Sequence, residues 1–182
     1  FVSFFCDANL LTTDMNGAAD TYLHDRQTGT KQIVSVDSNG IQGNGPSRYY
    51  STISADNNCV AFESLASNLV SGATHCVEDI FVHDLTPGVT ERVSVRSSGT
   101  EGNRDSHRPA ISADGAVLAF VSAASNLVSG DTNRVLDIFA HDRVTGKTVR
   151  MRVASAGVQG NNSSYIPNLF ADCNLVVFVS QA

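Results

Sequence analysis

Tryptophan is absent from this sequence, and no hydrophobic run is long. Apolar stretches such as Leu175 to Val179 stop far short of the roughly 20 residues that a membrane-spanning helix needs, so no such helix is expected. Positive charge is scarce and scattered: 12 Lys and Arg against 18 Asp and Glu leave a net charge of −6. Without clustered cations to release counterions, nucleic acid is excluded as a partner, and an acidic surface is expected. The chain starts at Phe1 without an initiator Met, and no basic, apolar and small-residue leader opens it, so it reads as a processed product or as part of a longer protein. Gly-x-Ser-x-Gly elbows, glycine-rich phosphate loops and His-Glu-x-x-His pairs are all missing, which leaves no local motif for catalysis. The four Cys residues form no Cys-x-x-Cys pair, which argues against a zinc knuckle or a thioredoxin-like centre.

What is present is a repeat. Ser125-Asn126-Leu127-Val128-Ser129-Gly130 leads into Asp137-Ile138-Phe139-Ala140-His141-Asp142. Ser67 to Gly72 leads into Asp79-Ile80-Phe81-Val82-His83-Asp84, and Asn9-Leu10-Leu11 leads into Asp20-Thr21-Tyr22-Leu23-His24-Asp25. His24 and His83 are 59 positions apart, and His83 and His141 are 58 apart. A fixed period of this length marks a repeat architecture. The repeats span approximately 1–60, 61–118 and 119–176, with a terminal strand at 175–180, all in one domain.

Each repeat carries four strand-like pieces. A short one ends in Ile-Ser or Leu-Phe (Ser51 to Ser54, Pro109 to Ser112, Pro167 to Phe170) before a tight Ala-Asp turn. The second is apolar almost throughout (Val2 to Phe5, Cys59 to Phe62, Val117 to Val121, Leu175 to Val179), as expected of a strand buried on both faces. The third contains the Asp-Ile-Phe-x-His-Asp string. The fourth alternates (Thr90 to Val95, Thr148 to Val153), as a half-exposed strand does. Burial is expected to fall from the second strand to the fourth, and the count is 13 strands. Four-stranded units in tandem point to an all-β propeller, or a partial propeller of about three blades.

The Pro-x-Ile-Ser-x-Asp-Gly turn, the Leu-Ala-Phe-Val-Ser strand, the Asp-Ile-Phe-x-His-Asp strand and the Thr-Gly-x-x-x-Arg-Val-Ser strand resemble the TolB-type, WD40-like propeller repeats of secreted and periplasmic bacterial proteins. The resemblance covers nearly the whole chain and implies a propeller fold and a secreted or periplasmic location. It implies no single function. The Ser-Asn-Leu-Val-Ser-Gly segment makes these repeats longer than a blade of about 40–45 residues. Three blades fall short of the ~4 to 8 in a closed ring. The open edges are therefore expected to be completed by further blades or by other copies of the chain.

Four groups of residues are candidate sites. Asp14, Asn16 and Asp20, matched by Asp131, Asn133 and Asp137, offer oxygen ligands at alternate loop positions, as calcium requires, or else cap their own turns. The middle repeat has Ala73, His75 and Asp79 there. The pairs His24-Asp25, His83-Asp84 and His141-Asp142 recur once per repeat, and recurrence favours a structural role over a catalytic one. Loops after Gly43-Asn44, Gly102-Asn103 and Gly160-Asn161 lead to the strand nearest the axis. Their variable residues Arg48, Tyr49, Tyr50, Arg104, Asp105, His107, Arg108 and Tyr165 are expected to ring a channel mouth and bind a ligand or partner. Cys6 and Cys76 fall on the same rim of neighbouring blades and could form a disulfide in an oxidising compartment; Cys59 and Cys173 lie at the opposite rim.

The chain therefore reads as a non-catalytic module for binding a protein or glycan and for self-assembly, with no cofactor unless calcium. The rival reading is a glycan- or peptide-active propeller enzyme, which needs convergent acids or a perturbed His in its channel.

Overall fold

The structure, a computed structural model, describes residues 1–72, 76–151, 160–169 and 176–181. Ala73, His75, Cys173 and the strand ends Val153, Phe170 and Leu175 named above lie outside them. Among the described residues there are 13 strands: β1 (Val2–Cys6), β2 (Asp20–His24), β3 (Lys31–Ile33), β4 (Ser51–Ile53), β5 (Cys59–Ser64), β6 (Asp79–Asp84), β7 (Val89–Arg92), β8 (Ser106–Ile111), β9 (Val117–Ser122), β10 (Asp137–Asp142), β11 (Lys147–Arg150), β12 (Ser164–Leu169) and β13 (Val176–Ser180). They form four antiparallel meanders: β1-β2-β3, β4-β5-β6-β7, β8-β9-β10-β11 and β12-β13. This is a partial β-propeller, with the first strands β4, β8 and β12 lying beside one another. Each complete sheet starts at its first strand, so the sheets are phased somewhat ahead of the sequence repeat.

Strand pairing sets equivalent rings side by side. Phe62 faces Phe81 across β5 and β6, Phe120 faces Phe139 across β9 and β10, and Phe4 faces Tyr22 across β1 and β2. Their ring centroids stand 5.9, 6.0 and 5.8 Å apart, stacked. Between the second and third sheets the core is built from Ala61, Ile80, Val82, Leu118, Phe120, Leu127 and Phe139, all buried. Fully burying a side chain of this size contributes roughly 1.5–3 kcal/mol.

The expected burial pattern holds for β5 and β9, which are almost wholly buried, and for the half-exposed β7 and β11. Two corrections follow. The third strands β6 and β10 are about as buried as the second, because both central strands are covered on each face by neighbouring sheets. The apolar strands β1 and β13 are partly exposed, because they are edge strands of the two incomplete sheets.

The long Ser-Asn-Leu-Val segment joins sheets. Leu69 and Leu127 are buried, while Asn68 and Asn126 accept from the amides of Asn44 and Asn103 in the preceding loop. Those loops answer in kind, Asn44 and Asn103 accepting from the amides of Ser67 and Ser125. Gly43 makes the close approach possible, since a Cβ there would stand 3.1 Å from the Ala66 Cβ.

The recurring histidines are a second joint. His83 Nδ1 lies 2.8 Å from Thr90 Oγ1, and His141 Nδ1 lies 2.8 Å from Thr148 Oγ1. Each Thr hydroxyl donates to a carbonyl of the preceding sheet, Val36 or Val95, so it accepts from a neutral imidazole N–H. His24 makes only an exposed 3.2 Å contact with the Thr30 carbonyl. Burial pushes both His83 and His141 below the ordinary 6.5. Because the folded value is depressed, this stability is present above the unfolded value and is lost as pH falls through the folded one. Thermal melts of wild type and a His83→Gln, His141→Gln variant between about pH 7.5 and 5 should show a smaller loss in the variant.

Candidate functional site

In each repeat the chain enters its first strand through a kink. Tyr49, Arg108 and Ile166 occupy equivalent positions, and all have positive φ, at 71°, 56° and 55°. Left-handed backbone at non-glycine residues costs about 1–3 kcal/mol each. The ladder slips at the same place, between His107 and Ala110 and between Tyr165 and Asn168. Such bulges re-aim side chains. Here they turn Tyr49, Tyr50, His107, Arg108 and Tyr165 towards one cavity of about 290 Å³.

Five of the eight residues expected at the channel mouth therefore line a common pocket. Arg48 stands beside it, its guanidinium 5.9 Å from the Tyr49 ring centre and its Nε buried without a hydrogen-bond partner. Asp105 lies behind it and accepts from the Glu78 amide at 2.9 Å. Arg104 is elsewhere: it comes before the kink and lines a separate cavity with Asp131, Thr132 and Arg134.

Two further residues of the pocket, Glu63 and Glu78, were not anticipated. Glu63 is 1% exposed, and its Oε1 accepts the amide of Arg108, the kinked residue of the next sheet. His107 Nδ1 lies 3.7 Å from Glu63 Oε2 and 3.4 Å from Glu78 Oε2. Glu78 Oε1 is buried without a hydrogen-bond partner. The Glu63 carboxylate, supported by Glu78 and Asp105, pushes the His107 imidazole above its ordinary value despite burial. Burial and then the charge of Glu63 push Glu78 upward, offset in part by His107 and Arg48. Arg108 extends its guanidinium over the Tyr50 ring, 5.0 Å from its centre.

A signal for both glutamates was present. At the position of Glu63 the other repeats carry Phe5, Val121 and Val179, and at that of Glu78 they carry Ala19 and Leu136. The middle repeat alone places acids at these apolar positions.

The loops expected to hold calcium are filled by protein donors. Gln42 Nε2 stands between Asp14 Oδ1 and Asp20 Oδ2, at 2.9 and 2.7 Å, and Tyr22 donates its hydroxyl to Asp14. Asn16 donates to Asp20 and to the Gly43 carbonyl, and its own oxygen accepts from Ala18. In the third repeat Arg150 lies 3.2 Å from Asp131 and 3.6 Å from Asp137, while Asn133 repeats the role of Asn16. These contacts set an amide or a guanidinium between the carboxylates of each loop. In the middle repeat Arg92 holds Asp79 and Glu101, and Ser94 donates to Asp79.

The proposed Cys6–Cys76 disulfide is corrected. Cys6, Cys59 and Cys76 are free thiols. The Cys6 sulfur turns back onto the Ala8 amide at the end of β1, and Cys76 is exposed before β6. Cys59 is buried, and burial pushes its thiol up to about 11, so it is unreactive.

No family model matches the sequence, and no curated protein matches it. Solved structures do resemble it. TolB from Acinetobacter baumannii aligns with a TM-score of 0.53 and 21% identity over 88% of this chain and 32% of its own. The tricorn protease aligns at 0.56 and 14% identity, over 91% of this chain and 13% of its own. A prolyl endopeptidase aligns at 0.55 and 16% identity, over 90% of this chain and 23% of its own. The chain thus spans about a third or less of the length of these proteins, and the likeness is one of fold: a β-propeller, shared with TolB.

The buried ion pairs of the middle repeat yield a direct test. Arg92 and Asp79 have side chains only 8% and 5% exposed. Arg92→Met removes the cation that holds Asp79 and Glu101, and urea denaturation should show a loss of about 3–5 kcal/mol.

Proposed function

We propose that this TolB-type propeller segment is a non-catalytic binding module whose partner docks at the pocket where β4, β8 and β12 begin. The convergence of Glu63, Glu78 and His107 beneath Tyr49, Tyr50, Arg108 and Tyr165 carries this reading. Function on a repeated scaffold resides where repeats depart from one another, and three such departures meet here. Tyrosines and an arginine around a concave, partly buried polar base suit recognition of a peptide segment or protein loop. A secreted or periplasmic setting goes with this reading, on the resemblance of the repeats. Among the described residues no helix is long and apolar enough to cross a membrane.

The convergent acids and the upshifted His107 also favour the enzyme reading. Two features weigh against it. Glu63 is almost fully buried and already accepts the Arg108 amide, and among the described residues no Ser, Thr or Cys lines the pocket to act as a nucleophile.

The end sheets suit assembly. Val2 and Val179 are 43% and 55% exposed, whereas their counterparts Val60 and Val121 in the inner sheets are 0% and 2% exposed. The same side chains are thus built to be covered, by a second copy or by further blades of the same polypeptide.

Random peptides displayed on phage should be selected on the immobilised chain in the presence of a chelator. Enriched peptides are expected to bind wild type with Kd below about 100 µM and a Tyr50→Ala, Tyr165→Ala variant at least about tenfold more weakly. Equal binding to both proteins overturns the pocket reading. Light scattering tests assembly separately: a mass above 19.3 kDa that rises with concentration is expected, and a 19.3 kDa monomer throughout overturns association between copies.

A further inference from the structure

We propose that Glu63, Glu78 and His107 form a binding site for a divalent transition-metal ion of the zinc type. The inference rests on the pocket being a functional site, but it assigns an ion to the base of the pocket rather than a partner to its rim.

Spacing is the first argument. One ligand atom from each residue lies within 4.8 Å of the other two, and this is the one such trio of His, Cys, Asp or Glu side chains among the described residues. Bonds of about 2.0–2.2 Å to a tetrahedral ion put its ligand atoms roughly 3.3–3.6 Å apart. Of the observed distances from His107 Nδ1 to the two Oε2 atoms, 3.4 Å falls in that range and 3.7 Å lies just beyond it, and both are long for direct hydrogen bonds.

The second argument is preorganisation with unspent ligand capacity. Glu63 is anchored through Oε1 to the Arg108 amide, which leaves Oε2 facing His107. Glu78 is anchored through its backbone to Asp105, while its buried Oε1 has no partner. Two carboxylates side by side in a shielded pocket repel each other, and His107 with the nearby Arg48 offsets part of that repulsion at Glu78. A doubly charged ion offsets that repulsion. Arg108, the other nearby cation, is directed onto the Tyr50 ring.

The third argument is donor type. One imidazole nitrogen and two carboxylates suit zinc and its neighbours, whereas calcium takes 6–8 oxygen ligands. Three protein ligands leave a fourth position open towards the cavity, where water or a group from a docked partner completes the shell.

The 182-residue chain, stripped with chelator and dialysed, should be titrated with zinc chloride by calorimetry. One equivalent is expected to bind in the micromolar range or tighter. Glu78→Gln should weaken binding by about tenfold to hundredfold. The double variant Glu78→Leu, His107→Tyr carries the residues that the third and fourth sheets hold at these positions, Leu136 and Tyr165, and should abolish binding. His24→Gln and Cys76→Ser, which alter the half-exposed His24 and an exposed thiol, should leave it unchanged. Affinity weaker than about 100 µM, equal affinity in the Glu78 variants, or displacement by millimolar calcium overturns the proposal. Since peptide selection is carried out with chelator present, loss of the metal site leaves that result standing, and loss of peptide binding leaves the zinc titration standing.

Discussion

The pairing of buried backbone groups between sheets is the constraint on which this structure depends. Stacked sheets bury apolar faces without direction, and apolar packing alone tolerates sliding. The Thr90 and Thr148 hydroxyls remove that freedom by donating to Val36 and Val95 of the preceding sheet, with a neutral histidine completing each hydroxyl's bonding. On the other side of the same boundary, Asn68 and Asn126 clamp the loop that precedes the next sheet. A buried acceptor left unpaired costs about 1–3 kcal/mol, so the joint has a definite register.

That register positions the pocket. The clamped Gly-Asn loops deliver the chain into the left-handed kink at Tyr49, Arg108 and Ile166. The kink frees the Arg108 amide from the ladder, and Glu63 of the neighbouring sheet takes it up. A buried carboxylate that could be costly is thereby satisfied, and it brings a second acid and an imidazole within reach. The repeated frame supplies rigidity, and the departures from repetition supply chemistry.

Much of this was legible in the residues. The 13 strands, their order and the half-exposed fourth strand follow from patterns of two to six residues, which act locally. Tyr49, Tyr50, His107, Arg108 and Tyr165 could be found because they are the variable positions after a constant loop. The structural role of the His-Asp pairs followed from recurrence. Glu63 and Glu78 escaped because each sits inside, or next to, a strand whose apolar character hid them. Their signal lay in comparison with Phe5, Val121 and Val179, and with Ala19 and Leu136. The Asp-x-Asn loops show the same limit: the spacing of their carboxylates is local, but Gln42 and Arg150, which stand between those carboxylates, come from farther along the chain.

By itself the sequence determined the repeat, the strand periodicity and the class of fold, because alternation and turn chemistry are written in neighbouring residues. The tertiary structure alone decided which side chains meet. Glu63 and Arg108 are 45 positions apart and belong to different sheets, so their contact exists only once those sheets are stacked. The same holds for the exposure of β1 and β13 against the burial of β5 and β9: one apolar pattern has two outcomes, set by whether a neighbouring sheet covers it.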